Sequence, residues 1–289
     1  MNRWVEGVAT RVRSLSEPIQ WGLLFLAVGI VYANPVREMA QDWYLDPNYS
    51  HGFLIPLIAG YFLWTRRDRL RSAVRRPCNW GLGILAGGLG LFILADLAAE
   101  SFTMRLSLLV VLAGLVLFLA GMEVFRVVAF PLGYLVFMIP LPYVVYDAVA
   151  FPLKLFAAKT ATAILQFMAI PIHREGNILI LENTTLEVAD ACSGIRSLMS
   201  LLALAVAYAH VTQQTWPQRF VLVAAAVPIA IAVNVFRVVG TGLLTHYAGP
   251  KAAMGFFHEF EGVAVFALAL VLLFGTGWIL NRIAVWRAR

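Results

Sequence analysis

Eight apolar runs, each set off from the next by charged or turn-forming residues, dominate this chain: residues 19–34, 52–65, 80–98, 103–121, 124–143, 192–209, 220–244 and 260–280. A helix needs about 20 apolar residues to cross the roughly 30 Å hydrocarbon core of a bilayer. Only structures that satisfy their own backbone hydrogen bonds survive there. Runs of this number and length point to an all-α polytopic membrane protein. Composition agrees: 61% of the 289 residues are apolar, 13% are Asp, Glu, Lys or Arg, and mean hydropathy is +0.80, whereas soluble domains carry about 25% charge. No stretch outside the runs could bury a core of its own, so 1–289 reads as one membrane domain. The net charge of +6 comes from arginines beside the runs, where they contact lipid headgroups and set topology. Membrane lipids are expected partners and nucleic acid is not.

Six arginines between Arg66 and Arg76 face a single acid, Asp68, which marks that segment as cytoplasmic. The tails 1–18 and 281–289, with Arg3, Arg11, Arg13, Arg282, Arg287 and Arg289, call for the same side. Two cytoplasmic termini require an even number of crossings, and eight spans satisfy this. The segment 148–170, broken by Pro152, Lys154, Lys159 and Gln166, is then expected to re-enter or to lie along the interface as an amphipathic helix. Residues 171–190 read as a small outer β-hairpin, with Ile178 to Leu181 and Thr185 to Val188 between polar turns. The first apolar run reads as an uncleaved signal anchor.

The two cysteines, Cys78 and Cys192, fall on opposite sides of the bilayer in this topology and cannot pair. Cys192 lies at or next to a helix start, where free N–H groups and the macrodipole favour a thiolate. Arg196 follows one turn deeper on the same face. Arg237 sits about seven residues inside its apolar run, where a guanidinium costs a few kcal/mol or more unless paired or wetted, and Asn234 shares its face. An intramembrane arginine is a site residue by default; the plain alternative is an ion pair with Asp190, Glu259 or Glu261. His258 opens the last span, with Glu261 and Gly262 one turn on. His51, His173 and His246 are expected on the same side, and spacing alone does not choose among them as proton carrier. Together, Cys, His and an anion-stabilising Arg on three successive spans have the logic of acyl transfer through a thioester. No Cys or His pair has metal-ligand spacing, and no cofactor is expected. The rivals are a transporter or polysaccharide-assembly protein in which Arg237 binds an anion, and a membrane acyltransferase with a histidine base.

At these residues the chain resembles the exosortase and archaeosortase family. The likeness is carried by Asn48-Tyr49-Ser50-His51-Gly52-Phe53-Leu54, Ala191-Cys192-Ser193-Gly194-Ile195-Arg196-Ser197, Asn234-Val235-Phe236-Arg237, and His258 with Glu261-Gly262. The resemblance implies a membrane-embedded cysteine protease and transpeptidase of the bacterial inner membrane. Its substrates would be exported proteins bearing a short C-terminal motif such as Pro-Glu-Pro, a transmembrane helix and a basic tail. It further implies Cys192 as nucleophile, Arg237 as oxyanion stabiliser or substrate orienter, and His258 as proton carrier. Arg196, Asn234, His51 and Glu261 would support them. A histidine rather than arginine at the third position fits the bacterial branch. The acceptor of the cleaved protein is not implied.

Overall fold

The computed structural model describes residues 17–181, 184–188, 195–249 and 256–287, with the backbone alone over 256–261. In chain order the elements are α1 (Glu17–Val31), α2 (Ala33–Leu45), a 3-10 turn (Ser50–Phe53), α3 (Leu54–Thr65), α4 (Arg67–Ser72), α5 (Trp80–Leu97), α6 (Ser101–Leu119), α7 (Met122–Tyr134), a 3-10 turn (Leu135–Met138), α8 (Tyr143–Phe167), β1 (Ile172–Glu175), β2 (Ile178–Leu181), β3 (Thr184–Glu187), α9 (Ile195–Thr212), α10 (Trp216–Ala248) and α11 (Phe256–Arg287). The expected all-α polytopic class is what the chain adopts. Its residues form two units, one of Met1–Leu45 with Ala59–Pro140, the other of Asp46–Ile58 with Leu141–Arg289.

The number of candidate spans comes close to the eight expected. Among the described residues six helices are long and apolar enough to cross a membrane: α5, α6, α8, α9, α10 and Gly262–Ala284 within α11. A seventh is added if the pair Trp21–Val31 and Ala33–Leu45, bent by 63°, is one broken span. Of the eight apolar runs, those at 52–65 and 124–143 fall short. α3 has 12 residues and α7 has 13, about 18–20 Å at 1.5 Å per residue. α3 begins only after the 3-10 turn, and α7 passes into another after Pro131. Apolar character outlasts helical geometry at both places.

In the first unit, α5 and α6 are joined by residues 98–100 and pack backbone to backbone. A Cβ on Gly81 would strike the Phe118 backbone, and one on Gly114 the Leu85 backbone. Such close approach is the main source of helix association in lipid, where burial of apolar surface gives no advantage. Glu100 caps α6 by accepting from the N–H groups of Phe102 (3.0 Å) and Thr103 (2.6 Å). Burial raises the Glu100 pKa, but hydrogen bonds from Thr103 and Phe102, with Arg105 nearby, outweigh it and hold the carboxyl below its ordinary value. Arg105, 7% exposed, donates to Asp42 at 2.7 Å. Tyr32, at the break between α1 and α2, shares a 2.7 Å hydrogen bond with Ser107; Pro35, lacking an N–H, accounts for the bend.

In the second unit, residues 213–215 join α9 to α10, and residues 249–255 join α10 to α11. Seven residues reach at most about 25 Å, half the length of the 33-residue α10, so neighbours that pack along their lengths run antiparallel. They do so through stripes spaced by four: Leu201, Ala205 and Ala209 on α9, Leu222, Ala226 and Ala230 on α10, Val265, Ala269 and Leu273 on α11. The start of α9, the later half of α10 and the start of α11 therefore share one end.

The outer hairpin is instead a three-stranded antiparallel sheet in the order β1-β2-β3. Glu175 faces Ile178 across Gly176-Asn177, and Gly176 takes φ +64°, which glycine adopts at no steric cost. Ile172, Leu179, Leu181 and Val188 turn inward onto Ala157, Ala161 and Leu165 of α8 and Val235, Val238 and Val239 of α10. Unbroken by Pro152, Lys154, Lys159 or Gln166, α8 qualifies as a span by length and composition. Yet its first turns, at Tyr146 and Ala150, pack on Ile195 and Met199 at the start of α9. Both its ends are held at the end of the unit that carries the sheet.

Candidate active site

The motif at 46–53 is a self-satisfied turn. The Asp46 carboxylate accepts from the Asn48 N–H (2.8 Å), the Asp46 carbonyl from the Tyr49 N–H (3.0 Å), and the Ser50 hydroxyl donates to the Pro47 carbonyl (3.1 Å). This turn offers the Asn48 side-chain oxygen to the Nε–H of Arg196, 3.1 Å away. Arg196 stands in the first turn of α9 and is held from below by Ile195, 1% exposed and packed with Tyr146 and Ala150. Tyr49 closes the same cluster edge-on to Tyr146, with ring centroids 6.4 Å apart. Two stretches 148 residues apart thus meet, and the expected support residue Arg196 has its partner. His51 lies three residues on, half-buried in the 3-10 turn.

Arg237 and Asn234 lie together on α10. Asn234 is 6% exposed and Arg237 half-buried. The hydroxyls that follow turn back on the helix, Thr241 donating to the Arg237 carbonyl (3.0 Å) and Thr245 to that of Thr241 (2.7 Å). Arg237 is seven residues, two helical turns, beyond Ala230 on the stripe that packs against α9 and α11. Position 258 is seven residues before Val265 on α11, and Ile195, the first residue of α9, is six before Leu201. In antiparallel neighbours these three steps lead to one level. Val235, Val238 and Val239, on the opposite stripe, carry the sheet. His246, exposed and edge-on to Tyr247, lies nine residues past Arg237, about 13 Å along the axis. His173, in β1, is 4.0 Å from Glu175 with both side chains largely exposed.

Cys192 and the side chains of His258 and Glu261 lie outside the described residues, as do Asp190 and the Glu259 side chain. The structure brings Asn48 and Arg196 into contact and sets Arg237 with Asn234 at the same end of the unit. A family model, that of the transmembrane exosortases, matches residues 43–275. The chain belongs to the transmembrane exosortase family. That span takes in most of both units and every motif discussed above, so the exosortase assignment does not rest on one local motif. No curated protein and no solved structure matches the chain. Exosortases are membrane protein-sorting enzymes. The contact of Asn48 with Arg196 is what this exosortase's sequence did not single out, although Asn48 heads the 48–54 motif; its signal was the Asp46-Pro47-Asn48 turn ahead of a polar motif.

Proposed function

We propose that the chain is a membrane-embedded cysteine transpeptidase that removes the C-terminal sorting signals of exported proteins. The observation that supports this most is the meeting of Asn48 with Arg196 at the end of the unit where Arg237 and the start of α11 also lie. In this reading the Cys192 thiolate attacks the scissile carbonyl, whose oxygen becomes an oxyanion held by Arg237. His258 gives a proton to the departing amine, and a thioester to Cys192 remains. An acceptor amine, or water, attacks the thioester and releases the thiolate. The substrate would carry a motif such as Pro-Glu-Pro, a helix that docks laterally, and a basic tail; binding those remote parts positions the reacting carbonyl. Both termini would be cytoplasmic, with the site on the outer face of the bacterial inner membrane.

Co-expression with a tagged protein bearing a Pro-Glu-Pro tail, read by gel shift and intact mass, tests the reading. Processing by the native enzyme and none by Cys192→Ala is expected, with a thioester adduct in the native enzyme. Equal processing by both removes the thiol from the mechanism. Processing by neither would leave a mismatched sorting motif or the rival in which Arg237 binds an anionic substrate of a transporter or polysaccharide-assembly protein, which substrates from the same genome would separate.

A further inference from the structure

A cavity of about 610 Å3 opens in the first unit, at the end of the α5–α6 pair opposite Glu100. Its lining includes Arg76, Cys78, Asn79, Met122, Glu123 and Arg126, none of which the sorting chemistry uses. The walls are pinned together. Arg76 and Gly121 form a parallel β-bridge, and the Cys78 N–H donates to the Leu117 carbonyl at 3.1 Å. Gly121 has φ +85°, and a Cβ there would strike the Arg76 carbonyl, so the approach that shapes the cavity requires glycine.

Arg76, Met122, Glu123 and Arg126 are exposed around the opening, and their charge is unbalanced. Glu123 accepts from the Val74 N–H at 3.0 Å, while neither the Arg76 nor the Arg126 guanidinium pairs with a carboxylate among the described residues. The first turns of α5 and α7 both open here. The Gly81 and Leu82 N–H groups of α5 bond the Cys78 and Asn79 carbonyls at 2.9 and 3.0 Å, and the positive ends of both helix dipoles lie here. Trp80, 83% exposed, and Trp64, 60% exposed beneath the Arg67 guanidinium, mark the level of the membrane–water interface, where indoles concentrate. The anion abundant at that level is the lipid phosphate, and the guanidinium fork matches phosphate oxygens.

We propose that this cavity binds the phosphate of an anionic phospholipid headgroup through Arg76 and Arg126. The test is native mass spectrometry of the purified full chain, offered equal phosphatidylglycerol and phosphatidylcholine, with inorganic phosphate as a separate competitor. Preferential retention of phosphatidylglycerol is expected. Arg76→Gln with Arg126→Gln should weaken it by more than about tenfold, since each loses a charge-assisted contact to the phosphate as well as its charge. Met122→Trp, which narrows the cavity without changing charge, should weaken retention as well. The equal charge loss of Arg69→Gln with Arg71→Gln on α4, outside the cavity lining, removes only general surface attraction and should weaken retention clearly less. Thermal melts of each variant establish that it is folded. Equal losses in both double variants, or full retention by Met122→Trp, would overturn the proposal in favour of a diffuse basic surface. Displacement of the lipid by inorganic phosphate at matched concentration would overturn it in favour of a soluble anion.

Discussion

Arg105 and Arg237 are both set in apolar helices, and their surroundings differ. Arg105 is nearly fully buried and meets Asp42 at 2.7 Å, a structural pair. Removing Asp42 leaves a guanidinium without its counter-charge, which costs about 3–5 kcal/mol in a fully buried pair and less here because the Asp42 side chain is 42% exposed. Asp42→Ala should therefore lower the melting temperature while leaving processing per folded molecule unchanged. Arg237→Lys should behave the other way, keeping the melting temperature and losing processing by about 10²–10³-fold, as for loss of an oxyanion donor. Asn48 supplies a third comparison. Asn48→Ala removes the acceptor that orients Arg196 and should reduce kcat more than KM, whereas Asn48→Asp, which keeps an acceptor oxygen, should restore most of the rate. An equal drop for both would mean that the contact only holds the fold. Arg237 and Arg196 were legible in the sequence because charge in an apolar run has few explanations. Asn48 was not, because an asparagine in a turn satisfies itself locally in most proteins, and only the folded chain shows that its side-chain oxygen accepts from Arg196 while its backbone N–H serves the turn.

Helices and strands were legible to the degree that one physical pattern governs them. α5, α6, α9 and α10 follow from apolar length. α3 and α7 were overcounted as spans because hydropathy does not register where helical hydrogen bonding stops. β1 was missed because Ile172-His173-Arg174-Glu175 has one apolar residue and shows no alternation; it is a strand because β2 offers it an edge. The α5–α6 interface gives a sharp test. Gly114→Leu places a side chain against the Leu85 backbone and should separate the pair, exposing the 98–100 turn to protease. The Glu100 cap gives another. Its carboxyl is held below its ordinary value, so its contribution is complete above the unfolded carboxylate pKa of about 4.3 and is lost as pH falls through the lower, folded value. Amide exchange at Phe102 and Thr103 should rise in acid beyond the intrinsic rate. In Glu100→Gln that extra acid dependence should vanish.

At the scale of the molecule, the chain order and the spatial order are not the same: residues 46–58 belong with the second unit although 82 residues of the first, Ala59–Pro140, follow them. Hydropathy treats the chain as a string of spans, so this interleaving had no sequence signature beyond the family motif at 48–54. The proposed orientation can be read with single cysteines in a chain lacking Cys78 and Cys192. Labels at positions 99 and 174 should react with an impermeant maleimide from outside, and one at position 72 should not; reversal of the pattern would invert the topology.

The Asn48–Arg196 contact also sets a timetable for biosynthesis. Asn48 leaves the ribosome 148 residues ahead of its partner, which at about 5–20 residues per second is roughly 7–30 s. Throughout that wait the 46–52 turn has no helix α9 to lean on. Its internal hydrogen bonds, from Asn48, Tyr49 and Ser50 back to Asp46 and Pro47, let it keep its shape alone, so the half of the site made first is a finished receptor awaiting the half made last.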